Sequence, residues 1–180
     1  MPHRIHLFGA SGSGTTTLGS AVAAALGARF LDTDTYYWVA TDPPFTTKVE
    51  PAERVAAIER DVAGHEDWVL AGSLCNWGGP LLDRFTLAVF LVLDPELRMA
   101  RLLERERVRY GSRILPGGDM HEAHVAFLDW ARSYDDARAP VRSLDLHERW
   151  LTALRCPVLR LDASRSVEAL CDTVLGRLRA

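Results

Sequence analysis

The feature that most constrains this chain is the glycine-rich stretch GASGSGTTT at residues 9–17. An apolar run at residues 3–8 precedes it and predicts a β-strand. Good helix formers at residues 18–26 follow it and predict a helix that ends at Gly27. Glycines in such a turn let backbone N–H groups approach an anion, and the helix N-terminus adds the positive end of its dipole. The stretch therefore predicts a phosphate-binding loop.

The spacing of this loop fits the motif G-x-x-x-x-G-K-[ST] with one departure. Gly9 and Gly14 occupy the glycine positions and Thr16 the position of the magnesium-binding hydroxyl, but Thr15 stands where the motif has lysine. Lys48 is the single lysine of the chain, so we expect an arginine to supply the missing positive charge. The residues predicted to bind the nucleotide phosphates are Gly9, Ala10, Ser11, Gly12, Ser13, Gly14, Thr15, Thr16 and Thr17.

A dinucleotide-binding Rossmann turn is the main alternative for this stretch. Gly9 and Gly12 also begin like the turn of short-chain dehydrogenases, and Asp32 and Asp34 follow at the distance of a ribose-binding acid. The next glycine falls at position 14 instead, and the chain lacks the Tyr-x-x-x-Lys pair of those enzymes. A purely structural glycine turn is a further alternative. The phosphate loop is favoured over both.

Composition restricts the classes of function that are open to the chain. Its 180 residues are enough for one domain with a full core, and 48% hydrophobic with 25% charged residues is ordinary for a globular protein. A net charge of −3 gives no general attraction to nucleic acid or to an anionic membrane. The three cysteines form no metal or disulfide pattern. We expect a cytoplasmic monomer or homodimer that binds neither membrane nor nucleic acid.

Strand and helix patterns alternate along the chain. Apolar runs predict further strands at residues 28–31, 68–71, 87–93 and 156–161, and helices lie between them. Residues 87–93 are apolar throughout, as in a strand that is buried on both faces of a parallel sheet. The alternation predicts an α/β fold with helices on both faces of the sheet.

Polar residues follow several of these strands and should meet at one edge of the sheet. Asp32 and Asp34 come after the second strand, and Gly72 and Ser73 after the third. One carboxylate could hold a magnesium-bound water while the other orients, or takes a proton from, an acceptor hydroxyl. The pattern alone leaves open which aspartate has which role. Local turn capping by both aspartates is the alternative.

The helix expected after Asp94 is rich in arginine. Arg101, Arg105 and Arg109 are spaced by four residues and share one face. A solvated face with ion pairs is the usual reason for such a run. Because the helix leads into a loop with glycine and proline at residues 111–119, we instead predict that arginines of this helix bind the transferring phosphoryl group, while the pattern alone leaves open which of them do.

Aromatic residues in two loops are candidates for the acceptor pocket. Trp38 lies after the second strand and Trp77 after the third, whereas Trp130 and Trp150 are expected in the core. The spacing of a metal site is absent at residues 121–124, which contain His121, Glu122 and His124. We expect these side chains on the surface of a helix.

Taken together, these motifs resemble the small-molecule P-loop kinases of the adenylate kinase and shikimate kinase group. The resemblance rests on the loop, the Asp-x-Asp pair, the Gly-Ser turn and VFLVLDPE before the arginine-rich helix. It covers residues 4–113 and, weakly, 157–178. The sequence GSGTTT also resembles the loop of archaeal cytidylate kinases, which likewise lack the lysine.

The resemblance implies a three-layer α/β/α P-loop NTPase fold with a five-stranded parallel sheet of order 2-3-1-4-5. It also implies ATP and Mg²⁺, with Thr16 and Asp32 at the metal and Asp32 and Asp34 near the acceptor. By the same resemblance Asp34 would be catalytic, and Arg105 and Arg109 lie where catalytic lid arginines would be expected. Gly72 and Ser73 would contact the acceptor, and the loop that contains Arg165 would pack against adenine.

We therefore predict one P-loop kinase-like domain over residues 1–180, with a lid-type insertion at about residues 110–150. The predicted function is transfer of the γ-phosphate of ATP to a small intracellular acceptor, in the first place a nucleoside monophosphate, as in adenylate kinase. A hydroxyl-bearing metabolite, as in shikimate or gluconate kinases, is the alternative acceptor. A non-kinase ATP-binding regulatory protein and a Rossmann protein that binds NAD(P) are the alternative classes.

Overall fold

The computed structural model describes residues 1–138 and 140–179. A parallel five-stranded sheet forms its centre, in the order β2-β3-β1-β4-β5. The strands are β1 (Arg4–Gly9), β2 (Arg29–Asp32), β3 (Trp68–Ala71), β4 (Leu87–Val92) and β5 (Val158–Asp162). Leu7 of β1 pairs with Ala71 of β3 and with Val89 of β4. The predicted α/β class and strand order are confirmed.

In the described residues, seven α-helices lie between the strands and after β5. They are α1 (Thr15–Leu26), α2 (Thr33–Tyr37), α3 (Pro51–Val62), α4 (Pro95–Tyr110), α5 (His121–Arg132), α6 (Leu144–Ala153) and α7 (Val167–Arg179). Short 3-10 helices lie at Gly79–Arg84, Gly111–Ile114 and Ser133–Asp135. The start of α4 follows from its sequence, because Asp94 Oδ1 accepts hydrogen bonds from the backbone N–H groups of Glu96 at 2.9 Å and Leu97 at 3.1 Å. None of the helices in the described parts of the chain is long and apolar enough to span a bilayer.

The two faces of the sheet bury different side chains, because successive residues of a strand point to opposite sides. Phe8 packs with the cluster that includes Ile58 of α3 and Trp150 of α6. Ile5 and Leu7 pack with the cluster on the other face, which includes residues of α1 and α7. A third, smaller cluster lies between α4 and α5 and consists of Leu102, Leu128 and Ala131. Helices therefore cover both faces, and the carboxyl ends of the strands form one open edge.

Two segments differ from the sequence prediction. The residues after Asp32 were expected in a loop but form the short helix α2, because the Asp32 carboxylate accepts a hydrogen bond from the Asp34 backbone N–H at 3.0 Å and caps that helix. The region that the sequence placed in a lid-type insertion is not uniform. Its last helix, α6, buries His147 and Trp150 against the sheet, whereas α5 packs on α4. Lid movement in this region stays a prediction.

Candidate active site

The glycine-rich loop leads from β1 into the N-terminus of α1. Gly14 is the N-cap residue with φ of 93°, without a side-chain hydrogen bond, and the first turn of α1 contains no acidic residue. The backbone N–H groups of this turn therefore point outward without a side-chain partner, which is the arrangement that binds phosphate. Gly12 has φ of 86°, and a Cβ there would lie 2.9 Å from the Arg98 carbonyl oxygen. This glycine lets the loop pack closely against α4.

Thr16 and Asp32 meet beside the loop. The Thr16 hydroxyl Oγ1 donates a 2.8 Å hydrogen bond to Asp32 Oδ2. Hydroxyl and carboxylate oxygens are the ligands that Mg²⁺ prefers, and this ion usually keeps several waters and takes only one or two protein ligands. The described residues contain no group of three or more histidine, cysteine or acidic side chains that could hold a metal. The pair fits a nucleotide-bound magnesium ion rather than a protein-enclosed one.

Asp34 lies next to this pair, on the first turn of α2. Its side chain is exposed toward the cleft. The cleft walls exclude part of its hydration, which raises the pKa of the carboxyl, and the Asp32 carboxylate raises it further. The positive charges of Arg142, Arg105 and Arg109 oppose this increase. The structure thus brings Asp34 together with both arginines selected from the sequence and with one that the sequence reasoning missed.

Arg105 and Arg109 are both exposed on α4, near the cleft. Arg105 Nη2 lies 3.3 Å from Glu106 Oε1, so part of its charge is offset. Arg109 takes part in no ion pair among the residues that the structure describes. Both long side chains can move, and neither contacts the phosphate loop in this conformation.

Arg142 lies in the irregular segment before α6. Its Nη2 donates a hydrogen bond of 2.5 Å to Ser11 Oγ of the phosphate loop. A lone arginine in an irregular segment carries no sequence signal for this contact. Only the fold brings it back across 131 residues to the loop.

The Gly-Ser turn after β3 is held by buried contacts. Gly72 has φ of 112°, and a Cβ there would collide with Thr33 Oγ1. Ser73 Oγ lies 3.1 Å from His147 Nε2, and the Tyr134 hydroxyl lies 2.7 Å from His147 Nδ1. Burial lowers the pKa of His147 to about 3, so the neutral ring accepts one hydrogen bond and donates the other. The Ser73 hydroxyl is therefore occupied inside the protein and positions the turn.

Aromatic rings from the end of α2 and from the loop after β3 form one cluster. The centroid of the Tyr37 ring lies 4.9 Å from that of Trp38 and 6.1 Å from that of Trp77. Trp77 is buried and its Nε1 donates to the Ser73 carbonyl at 3.2 Å, whereas Trp38 is half-buried. The two tryptophans selected from the sequence thus lie in one aromatic cluster, and Trp38 is the more accessible.

Arg54 of α3 belongs to the same cluster and was missed by the sequence reasoning. Its guanidinium carbon lies 3.9 Å from the Tyr37 ring centroid, and its Nε donates to the Val49 carbonyl at 2.6 Å. The side chain is buried. Within the described part of the chain it pairs with no carboxylate. The aromatic contact and a single carbonyl leave the rest of its donors available.

Arg165 lies in the turn between β5 and α7, at the same edge of the sheet as the phosphate loop. It is exposed, and its Nη2 is 3.4 Å from both the Ala169 carbonyl and the Thr173 hydroxyl. The structure does not bring it into contact with the other candidate residues. Its assignment to an adenine-binding loop stays a prediction.

Comparison with known proteins assigns the family. The sequence model described as AAA domain matches residues 5–125, which includes the loop, both aspartates and α4. The chain belongs to this AAA domain family. It is also 44% identical, over 178 residues, to the uncharacterized protein YqaC of Bacillus subtilis (strain 168), across 99% of this chain and 98% of the relative.

Solved structures show the same fold. A shikimate kinase from Bacteroides thetaiotaomicron aligns over 100% of both chains with a TM-score of 0.60 and 20% identity. A gluconokinase from Sinorhizobium meliloti 1021 aligns over 98% of this chain and 93% of its own, with a TM-score of 0.53 and 19% identity. The fold is thus that of small-molecule P-loop kinases, and the resemblance noted in the sequence is confirmed at this level.

Proposed function

We propose that this AAA domain protein is an ATP-dependent phosphotransferase that acts on a small hydroxyl-bearing metabolite. The observation that carries the proposal is the hydrogen bond between Thr16 and Asp32, beside which Asp34 extends into the cleft. The Asp32 carboxylate contacts the Thr16 hydroxyl at the proposed magnesium position, whereas the Asp34 carboxylate faces the open cleft. A kinase needs this division between metal and acceptor, whereas a simple nucleotide-binding switch does not.

The site fits ATP and magnesium. The loop from Gly9 to Thr17 and the uncapped N-terminus of α1 would hold the phosphates, while Thr16 and Asp32 would hold Mg²⁺, directly or through water. When bound, the metal neutralises phosphate charge. Phosphoryl transfer depends mainly on positioning and electrostatic stabilisation, so the protein needs few reactive groups.

Asp34 is proposed to orient the acceptor hydroxyl and to take its proton. The raised pKa makes this carboxylate a stronger base than an ordinary aspartate. Arg105 and Arg109 lie near enough to affect its charge, and they are proposed to approach the transferred phosphoryl group from α4. Such movement would accompany closure of residues 110–150, the lid-type part of the single domain.

The aromatic cluster is proposed to form the acceptor pocket. Buried Arg54 has donors that bind an anion, and the Lys48 ammonium lies 5.8 Å from the centroids of both Tyr37 and Trp38. Two cations beside apolar rings suit an acceptor that carries a carboxylate. The likeness of the fold to shikimate kinase and gluconokinase supports a hydroxy acid over a nucleoside monophosphate.

The experiment measures the rate at which radioactive phosphate is transferred from γ-³²P-labelled ATP, with Mg²⁺, to candidate acceptors. One panel of acceptors contains hydroxy acids and sugar acids, and the other contains nucleoside monophosphates. Faster label transfer to members of the first panel is expected. Transfer only to nucleotides would overturn the acceptor class. Slow hydrolysis that no acceptor accelerates would indicate an ATP-binding regulatory protein. Thermal stabilisation by NADPH but not by magnesium-ATP would favour the Rossmann alternative.

A further inference from the structure

The phosphate loop lacks the positive charge that its motif normally contains. Thr15 stands at the lysine position. Lys48 lies on the proposed acceptor side instead, where its ammonium is 5.8 Å from the ring centroids of both Tyr37 and Trp38. Nothing in the loop itself is cationic. If the loop binds ATP, a charge from another element has to approach the terminal phosphates.

Two arginines, one in α4 and one just after it, are already paired with carboxylates, and the two arginines proposed to approach the transferred phosphoryl group make no hydrogen bond to the loop within the described residues. Arg98 is buried against Asp135 at 2.6 Å, and Arg113 contacts Asp119 at 2.6 Å and Asp42 at 2.7 Å. Their charges are offset by these acidic partners. They are therefore poor sources of a free charge for the phosphates.

Arg142 differs in its contacts. Its Nη2 bonds to the Ser11 hydroxyl inside the loop, and its guanidinium carbon lies 4.5 Å from the Trp130 ring centroid. Its Nε is enclosed by protein and has no hydrogen-bond partner. No carboxylate lies within ion-pair distance of it in residues 1–138 and 140–179.

Such an environment is unfavourable for a cation in the free protein. Desolvation lowers the pKa of Arg142, and the negative charge of Asp34 opposes this decrease. Arginine nevertheless stays protonated in proteins, so the charge is held in place without full compensation. A phosphate anion in the loop would supply that compensation, with bidentate hydrogen bonds to the planar guanidinium.

We propose that Arg142 is the phosphate-binding cation of this site, in place of the lysine that Thr15 replaces. It would contact an oxygen of the β- or γ-phosphate of ATP from the segment before α6, opposite the amides of the loop. The charge thus comes from the side of the cleft where Asp34 lies. This inference rests on the proposed kinase function, because it needs ATP in the loop.

The test measures magnesium-ATP, ADP and AMP affinities by calorimetry for the wild type, Arg142→Met and Arg142→Lys. Arg155→Met is the matched control, since Arg155 is exposed and its Nη1 lies 3.4 Å from Asp83. Arg142→Met should weaken magnesium-ATP binding by about 10- to 100-fold, the typical worth of hydrogen bonds to a charged group. Arg142→Lys should lose less. AMP affinity should change little, and the control should match the wild type.

A second variant distinguishes loss of the positive charge from a defect in folding as the cause of weaker magnesium-ATP binding. Thr15→Lys in the Arg142→Met background restores a lysine to the motif position and should recover magnesium-ATP affinity. The melting temperature of ligand-free Arg142→Met should equal or exceed that of the wild type, because a half-buried cation without a paired carboxylate is removed. A purely structural arginine would instead give a lower melting temperature.

The inference is overturned if Arg142→Met binds magnesium-ATP as tightly as the wild type, or if ATP and AMP lose affinity equally. It is also overturned if the variant melts lower and Thr15→Lys restores no affinity. In each of these cases the wild type still binds magnesium-ATP and transfers phosphate, so the proposed function stands. Failure of the wild type itself to bind magnesium-ATP would refute the proposed function and this inference with it.

Discussion

Thr16 Oγ1 donates a 2.8 Å hydrogen bond to Asp32 Oδ2 and joins the first turn of α1 to the end of β2. The two residues are 16 positions apart in the chain, and the parallel sheet brings them together because both follow strands at the same edge. An exposed hydroxyl at a helix start contributes little to folding. Its position beside a carboxylate is therefore more informative about metal binding than about stability.

Thr16→Ala should abolish the magnesium dependence of ATP binding while changing the melting temperature of the free protein only slightly. The check is a thermal-shift titration of ATP with and without Mg²⁺. Thr152→Ala is the control, since the exposed Thr152 hydroxyl bonds back to the Arg149 carbonyl on α6. Equal magnesium dependence in Thr16→Ala and the wild type would remove Thr16 from the metal site.

Asp34→Asn should reduce turnover far more than ATP affinity. Loss of a general base typically costs about 10²- to 10⁴-fold in rate, while the phosphate loop is untouched. Steady-state kinetics with the best acceptor, combined with calorimetry of magnesium-ATP, separates the two effects. Asp172→Asn, an exposed change on α7, is the control. A variant with unchanged kcat would show that Asp34 is not the base.

The pH profile of the wild type offers a second check on Asp34. Because desolvation and the Asp32 carboxylate raise its pKa, the acidic limb of kcat/KM should lie above the usual range of an aspartate. The rate should fall as the pH decreases through that limb, since the protonated carboxyl cannot accept the hydroxyl proton. An acidic limb at the ordinary aspartate pKa would contradict the proposed environment.

Gly72→Ala should destabilise the protein and disturb the acceptor side of the site. The residue has φ of 112°, and a Cβ would collide with the Thr33 hydroxyl at the start of α2. Gly176→Ala is the opposite case, because a Cβ there meets nothing within 4 Å and the position lies inside α7. That control should stabilise by up to about 1 kcal/mol. Urea denaturation measures the free energy of unfolding of both variants. Equal changes would show that a side chain at position 72 does not collide with Thr33.

The sequence predicted those parts of the site whose chemistry is local. The loop, the aspartate pair and the Gly-Ser turn each follow an apolar strand directly, so a parallel sheet was enough to place them together. Arg142 and Arg54 were missed, because their roles depend on contacts over long distances in the chain or on ring stacking that no spacing encodes. The assignment of residues 33–37 to a loop was wrong for a local reason, since the Asp32 side chain caps a short helix there by accepting from the Asp34 backbone N–H.

The stability of this protein should decrease steeply in mild acid. Burial lowers the pKa of His6 to about 4 and that of His147 to about 3. The hydrogen bonds of His6 agree with a neutral ring, because Nε2 lies 2.9 Å from the Gly72 carbonyl and Nδ1 accepts from Trp150 Nε1 at 3.4 Å. The unfolded chain binds protons at these positions below about pH 6.5, whereas the folded protein does not.

The stabilisation from both histidines is therefore complete above about pH 6.5 and is lost as the pH falls from there toward 4, where His6 also begins to protonate in the folded state. Each proton changes the free energy of unfolding by about 1.4 kcal/mol per pH unit. Urea denaturation should thus show a slope that increases from about half a proton at pH 7 to nearly two protons at pH 5. His147→Gln should reduce the slope at pH 5 by about one proton, while His65→Gln, an exposed control, should leave it unchanged. An identical slope in all three proteins would show that the buried rings do not govern acid stability.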